Sequence, residues 1–552
     1  MRTIDAIAQL LRQEGIRYLS CFPTTPLIEA CAQAEIQPIV CRQERVGVGI
    51  ADGYSRVTNG ATPGVFAMQF GPGAENAFAG VATAYSDGVP VLLLPLGQAE
   101  DRLGVAPLFG AVAGFGAVTK RVEPITSPRR TADVMRRAMA ALRQGRPGPV
   151  MVEIPADVAL QEVPEDVILP RPIPRTVSAG DPRDVARAAR AICEARHPVV
   201  LAGQGVLYAE ASDELLALAE QLDLPVMTTL LGKSAFPETH RLSLGCATHV
   251  MTPAAHHFLQ RADLILAAGT SLTRHFTTVT LPAGKTLIQL TNDPADLNKD
   301  YLVDYGMLGD ARLVLRQLGE ACREIVGPHG RPNPDVAAEI ETMHTAWRSA
   351  WAGKLTDRQR PINPYRVIQE FMNVFDPHDC IVTHDSGNPR GQLVAFYRAG
   401  GPRSFLGWGK SHGLGTGLGL ILGAKLGCPD KVCVNIMGDA AFGMVGLDFE
   451  TAVRHRIPII TVVLNNEGMA SEARAMPRAE ADYRTSVLGG DYAAVARALG
   501  GHAERIEDPE AIAPAFQRAR KVTEEEGQPV LLDFITSRET ASSSPGRQFQ
   551  PQ

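Results

Sequence analysis

The chain has 552 residues, 45% of them hydrophobic and 21% charged, enough for several buried cores. That excludes a disordered chain and a disulfide-stapled mini-protein. Lys plus Arg number 54 against 60 Asp plus Glu, and no segment interleaves basic with aromatic residues, so no nucleic-acid partner is expected.

Punctuation divides the chain into three α/β units, 1–168, 184–326 and 361–537, each expected to be a doubly wound parallel sheet. In the first, short apolar runs at Gly64–Met68, 90–95 and 149–154 alternate with the helical pattern of Thr131–Arg143. Pro170, Pro172, Pro174, Gly180 and Pro182 mark a linker. The second unit opens with a strand at Pro198–Ala202 and holds another at Leu264–Ala268. A helix near 335–354 leads into the third, where 380–383, 432–437, 459–464 and Val530–Ile535 read as buried strands. The last dozen residues, rich in Ser, Gln and Pro, read as a mobile tail. Nine scattered cysteines form no C-x-x-C pair, which predicts free thiols in a reducing cytoplasm. The N-terminus lacks a signal peptide's apolar core and no run approaches ~18 apolar residues, so neither export nor membrane insertion is expected.

Several Gly-rich segments compete for attention. Gly232-Lys233-Ser234 and Gly409-Lys410-Ser411 resemble the end of a phosphate loop, but Met227 and Ser404 stand where its earlier glycine is required. Gly203-x-Gly205 follows a strand, yet Tyr208 replaces the small residue of a dinucleotide fingerprint, which favours a plain strand-to-helix turn. The run from Gly409 to Gly413 fits G-x-S-x-G, with His455 and His502 downstream. That gives a reading from a different class, a serine hydrolase at Ser411.

Gly438-Asp439 directly follows one apolar strand and Asn465-Asn466 another, with Asp439 and Asn466 27 positions apart. A strand–helix–strand separation of this kind brings both side chains to the carboxyl edge of one parallel sheet, where ligands collect. One carboxylate, one amide oxygen and the Gly468 carbonyl would form the protein's half of a Mg²⁺ shell shared with a phosphate ligand. Asp439 also suits a helix N-cap and the Asn pair a turn, and spacing alone leaves these readings level.

The pattern resembles the G-D-G…N-N signature of thiamine-diphosphate enzymes. Arg42-Gln43-Glu44 followed by Ala51-Asp52-Gly53-Tyr54, Gly71-Pro72-Gly73-Ala74-Glu75-Asn76, and Gly413-Leu414-Gly415-Thr416-Gly417-Leu418 resemble further motifs of that family, in family order. The overall look is similar to the acetolactate synthase and pyruvate decarboxylase group, which implies pyrimidine-binding, central and diphosphate-binding domains in turn. The resemblance implies that Glu44 hydrogen-bonds the cofactor's N1′ atom and favours the tautomer whose 4′-nitrogen removes the C2 proton. Leu414 would support the bent cofactor, doubling as a core leucine, and the His412 carbonyl would accept the 4′-amino group. Gly73 and Asn76 would lie on the pyrimidine side, with Ser386, Gly387, Asn388, Gly438, Ala440, Ala441 and Met469 beside the diphosphate. Asp439, Asn466 and Gly468 would hold Mg²⁺. Glu472 falls where decarboxylases carry a proton-handling carboxylate, and also suits a solvated helix face; His384 and His412 are the alternatives.

Ala440 replaces the last glycine of G-D-G. No histidine precedes His197, and Ala106-Pro107-Leu108-Phe109 does not match the Phe-Gln segment of acetolactate synthases, so a less polar acceptor pocket is expected. The central domain holds FAD, an ADP-like part of coenzyme A, or nothing in relatives, and its weak Gly pattern favours an empty one without FAD. The implied function is a thiamine-diphosphate- and Mg²⁺-dependent decarboxylase or carboligase acting on a small 2-oxo acid and a carbonyl acceptor. A 2-hydroxyacyl-coenzyme A lyase or an oxalyl-coenzyme A decarboxylase-like enzyme is the alternative. A homodimer or homotetramer is implied, with each site shared between subunits.

Overall fold

The computed structural model describes residues 1–168, 171–547 and 549–550. The first unit is a parallel sheet of β1 (Tyr18–Cys21), β2 (Gln37–Val40), β3 (Gly64–Met68), β4 (Val91–Gly97), β5 (Arg121–Pro124) and β6 (Val150–Pro155), in the order β2-β1-β3-β4-β6-β5. The second contains β7 (Pro198–Ala202), β8 (Val226–Thr228), β9 (Ser243–Cys246), β10 (Leu264–Ala268), β11 (Thr286–Thr291) and β12 (Tyr305–Leu308), ordered β12-β11-β10-β7-β8-β9. The third contains β13 (Cys380–His384), β14 (Phe405–Leu406), β15 (Val432–Gly438), β16 (Ile459–Asn465), β17 (His502–Ile506) and β18 (Val530–Ile535), ordered β14-β13-β15-β16-β18-β17. Strand for strand, the first and third sheets follow one plan. The expected three-unit α/β architecture is observed.

Helices cover both faces, so central strands such as β3, β7 and β13 are buried along their whole length, as their continuous Val, Ile and Leu content requires. First and third units meet where helix Glu44–Val57 lies against helix Thr416–Gly427. Glycine makes this approach possible. A Cβ on Gly53 would lie 2.0 Å from the Leu420 carbonyl oxygen, and one on Gly423 2.0 Å from that of Ile50. Around the contact, Val46, Val48 and Ile50 share one apolar core with Leu418, Ile421 and Leu422.

Of the linker prolines, Pro170 lies outside the described residues. The tail expectation is corrected for the residues that are described; Gln548, Pro551 and Gln552 lie outside them. Ser543 is fully buried: its carbonyl accepts the Met251 amide at 3.0 Å, and its hydroxyl donates to the Met251 carbonyl at 2.7 Å. The Tyr365 hydroxyl donates to the Ala541 carbonyl at 2.6 Å, and the Trp351 indole to the Phe549 carbonyl at 2.8 Å. These backbone partners outweigh the polar composition that suggested mobility. Among the described residues no helix is long and apolar enough to cross a membrane.

Candidate active site

In the third sheet the strand order reverses between β13 and β15, leaving a crevice beyond their carboxyl ends. A cavity of about 440 Å³ occupies it, lined by Ser386, Gly387, Asn388, His412, Leu414, Gly438, Asp439, Ala440, Ala441, Asn466, Gly468, Met469 and Glu472. Every diphosphate-side position singled out in the sequence therefore faces one space. Two β-strand exits supply most of them: Ser386–Asn388 follow β13, and Gly438–Ala441 run from β15 into helix Asp439–Val445.

The N-cap reading of Asp439 does not hold, because Gly438 occupies the cap and Asp439 is the first helical residue. Its side chain turns across the edge, where Oδ2 accepts the Gly468 amide at 2.8 Å. Burial raises this carboxyl to about 6. Asn466 presents a buried Oδ1 that no donor reaches. A buried acceptor without a donor is costly, and a hard cation beside an anionic ligand would satisfy both oxygens. Among the described residues no group of three or more His, Cys, Asp and Glu is placed to hold a metal ion, so a metal here would draw on the Asp439 carboxylate together with amide, carbonyl and ligand oxygens.

The segment carrying His412 and Leu414 is held by Asp385, whose role the sequence reading missed. Its Oδ1 accepts the amides of Ser386 at 2.8 Å and Gly415 at 2.9 Å, and its Oδ2 that of Gly417 at 2.9 Å. Leu414 is half-buried, lining the cavity while touching the apolar core. The Arg45 guanidinium donates to the Leu414 carbonyl and also lines the cavity. Thr536, Ser537 and Glu539, after β18, complete the wall. Glu472 is exposed and opens a single 3₁₀ turn, Glu472–Ala475.

Glu44 begins helix Glu44–Val57 and is 5% exposed, so it is not a solvated helix residue. Asn76 donates to its Oε2 at 3.3 Å, and Gly73 lies beside its Oε1. These three are together, but none lines the Asp439 cavity within the same chain; only the adjacent Arg45 does.

Two further expectations are corrected. His384 is not an available proton donor: it is fully buried, stacked on Trp408 at 5.1 Å, and burial holds its imidazole well below the usual range. The hydrolase reading loses its partners, since Ser411 follows β14 at the carboxyl edge of the sheet, whereas His455 precedes β16 and His502 opens β17, both at the amino edge. His275 of the central unit also lies 5.8 Å from His412, ring to ring, outside the residues that line the Asp439 cavity. The absence of histidine before position 197 said nothing about imidazoles from the second unit.

The remaining Gly-rich segments have structural explanations. Lys233 is 1% exposed and paired with Glu238, its ammonium also donating to the Tyr397 carbonyl at 2.8 Å. Gly205 faces Gly269 across the exits of β7 and β10, where a Cβ would lie 2.8 Å from the Gly269 Cα. That crossing opens a cleft lined by Gly205, Gly269, Ser271, Asn292, Asp310 and Lys410.

Family models match all three units: the N-terminal thiamine pyrophosphate (TPP) binding domain over 1–113, the central domain of thiamine pyrophosphate enzymes over 185–318, and their C-terminal TPP binding domain over 385–534. The chain is 31% identical to the probable acetolactate synthase large subunit of Methanocaldococcus jannaschii, with 97% of this chain and 92% of that protein covered. The chain belongs to the thiamine-diphosphate-dependent enzymes of the acetolactate synthase and pyruvate decarboxylase group. Also similar to it are the acetolactate synthase isozyme 3 large subunit of Escherichia coli, 29% identical over 92% of this chain and 90% of that one, and the sulfoacetaldehyde acetyltransferase of Castellaniella defragrans, 28% identical over 94% and 90%. It is an enzyme of a thiamine-diphosphate-dependent carboligase and decarboxylase family.

Proposed function

We propose that this enzyme uses thiamine diphosphate and Mg²⁺ to decarboxylate a small 2-oxo acid and pass its acyl unit to a second carbonyl compound. The observation that carries this reading is the Asp439 cavity, which joins a buried carboxylate, an unpartnered buried amide oxygen and the surrounding backbone in one space. In it, Asp439, Asn466 and the Gly468 carbonyl hold the cation. Ser386, Gly387, Asn388, Gly438, Ala440, Ala441 and Met469 surround the diphosphate. Leu414 supports the bent cofactor and the His412 carbonyl orients its 4′-amino group. Glu44 holds the proton at N1′, and Glu472, at the exposed rim, moves a proton to or from the substrate. When bound, the cofactor supplies an electron sink for the bond next to the substrate carbonyl.

The site is proposed to be shared by two copies of the chain. Glu44, Gly73 and Asn76 stand outside their own chain's Asp439 cavity, and Phe78, Met444 and Leu447 are exposed apolar residues, Met444 at the cavity wall. A second copy would cover them and bring Glu44 to the cofactor. The nine free cysteines suit a reducing cytoplasm. The central cleft needs no FAD in this reading, since the glycines at its base are accounted for by the crossing of two strand exits.

Calorimetry with thiamine diphosphate and Mg²⁺ tests the cofactor. Binding should vanish on metal chelation or in Asp439→Ala, and undiminished affinity in that variant would overturn the assignment. Product analysis with pyruvate and an added carbonyl acceptor tests the ligase. Free aldehyde alone at saturating acceptor would reduce the function to simple decarboxylation.

A further inference from the structure

Glu44 owes its place to a short stretch of chain, 41–43, between the end of β2 and the start of its helix. The Cys41 amide still follows the β1–β2 ladder, donating to the Cys21 carbonyl at 2.9 Å. Helical bonding begins at the Gln43 carbonyl, which accepts the Val46 amide at 3.0 Å. Gln43 occupies the cap position, yet its side chain makes no cap hydrogen bond and its Oε1 is buried with no partner. The helix start is therefore not fixed by a cap of its own.

The third unit supplies the hold. Asp448 is 1% exposed, its Oδ1 accepts the Arg42 amide at 2.7 Å, and the Gln43 amide acts on the same carboxylate. Asp448 stands at the N-cap of helix Phe449–Arg454, where an Asp ordinarily accepts an amide of its own helix, but its side chain makes no such bond. The Thr451 hydroxyl donates to the same Oδ1 at 2.9 Å and steadies the carboxylate that reaches across to the first unit. Just past that helix, His455 accepts the Val40 amide on Nε2 at 3.0 Å, and Arg454 donates to the Val40 carbonyl at 2.9 Å. Burial, with Arg454 beside it, holds the His455 imidazole below its usual range, which keeps it an acceptor. Arg42 also pairs with Glu450 at 3.2 Å, at an exposed position where an ion pair contributes little.

Hydrogen bonds to a charged group are worth more than neutral ones, so the buried Asp448 carboxylate dominates this set. Glu44 is two residues beyond the amide it holds, and the bond Glu44 receives from Asn76 is long at 3.3 Å. The aim of the Glu44 carboxylate thus follows from where the backbone at 42–43 is fixed.

We propose that Asp448 is a positioning residue for Glu44, with His455 as a second anchor on the same stretch. This rests on the reading of Glu44 as the group that holds the cofactor's N1′ proton, and makes its aim depend on the third unit of its own chain.

Two measurements test it. In cofactor-free protein, hydrogen exchange read by mass spectrometry should quicken about tenfold or more over 40–44 in Asp448→Ala, as loss of a charged hydrogen bond implies, and stay within about twofold over β4. In protein saturated with thiamine diphosphate and Mg²⁺, exchange of the cofactor's C2 proton should slow about tenfold in Asp448→Ala, short of the ~10²-fold that a full ångström of misplacement can cost. The double variant Asp448→Ala/Glu44→Gln should exchange within about threefold of Glu44→Gln alone, because no charge is left to aim; a merely structural role would add its effect to that of Glu44→Gln. Asp448→Asn, which keeps one acceptor oxygen, should recover part of the rate, and His455→Leu carries both measurements if Asp448→Ala fails to fold. Unchanged hydrogen exchange over 40–44, a wild-type C2 rate in Asp448→Ala, or additive slowing in the double variant would overturn the proposal. A wild-type C2 rate in Glu44→Gln would instead sink the Glu44 reading, and hydrogen exchange over 40–44 would still report on the Asp448 anchor.

Discussion

The Asp385 carboxylate accepts the Gly417 amide at 2.9 Å across 32 positions of sequence, pinning the loop that carries His412 and Leu414 to the end of β13. Burial raises this carboxyl to about 6, and the amides of Ser386, Gly415 and Gly417 keep its ionised form tolerable. Asp385→Asn removes the charge and turns an N–H toward one of those amides, leaving a buried donor unpaired at a cost of about 1–3 kcal/mol. Thiamine-diphosphate affinity by calorimetry should fall about tenfold or more, trypsin should cut faster after Lys410, and far-ultraviolet dichroism should be unchanged. Wild-type affinity together with wild-type proteolysis would show that the loop stands without the clamp.

Glu44→Gln keeps the side chain's size and one hydrogen bond but not its charge. Exchange of the cofactor's C2 proton, followed by NMR, should slow by roughly 10²-fold, the low end of what positioned acid–base groups contribute. The Asp439 cavity is untouched by this change, so Mg²⁺-dependent binding should persist. Mixed dimers of Glu44→Gln with Asp439→Ala, both inactive alone, should regain part of the activity. No recovery in verified mixed dimers counts against a shared site.

Gly423→Ala places a methyl group 2.0 Å from the Ile50 carbonyl oxygen, where neither helix backbone can yield without separating the first and third units. Overpacking of this kind costs about 1–3 kcal/mol. The urea midpoint should drop accordingly, whereas Gly353→Ala, with open space around its Cβ, should be neutral or stabilising. Equal midpoints for the two variants would contradict the close helix contact.

His384 is buried neutral, its imidazole well below the ordinary value of about 6.5. The unfolded chain takes up a proton at this residue below that pH and the fold does not, so stability is lost as pH falls through 6.5. The slope from this one group is at most about 1.4 kcal/mol per pH unit. Between pH 7.5 and 5.5 the wild type should lose more of its urea midpoint than His384→Phe, which keeps an aromatic ring against Trp408. Asp385, raised above its unfolded value, acts in the opposite direction and cancels in the comparison. Identical losses in the two proteins would place the His384 ring in water.

Much of the diphosphate half was legible because its residues follow strands directly. Gly438-Asp439 leaves β15 and Asn466 leaves β16, so reading the apolar runs also placed the side chains at one sheet edge. β7, β10 and β18 have the bounds their apolar content suggests. What escaped depends on contacts between distant residues. Nothing local to Asp385 announces Gly415 and Gly417, and Phe276 meets His412 only because the second unit folds over the mouth of the third. The C-terminal segment misled for a related reason: Ser, Gln and Pro describe affinity for water, whereas its fate was decided by hydrogen bonds to Met251 and Trp351.

That segment works as a tendon. Thr536, Ser537 and Glu539 form part of the cavity wall, and a few residues further on the same strip is knotted to the second unit at Met251. Wall and anchor are therefore neighbours on one short strip of chain, and cargo fused to the C-terminus would load the strip that joins them.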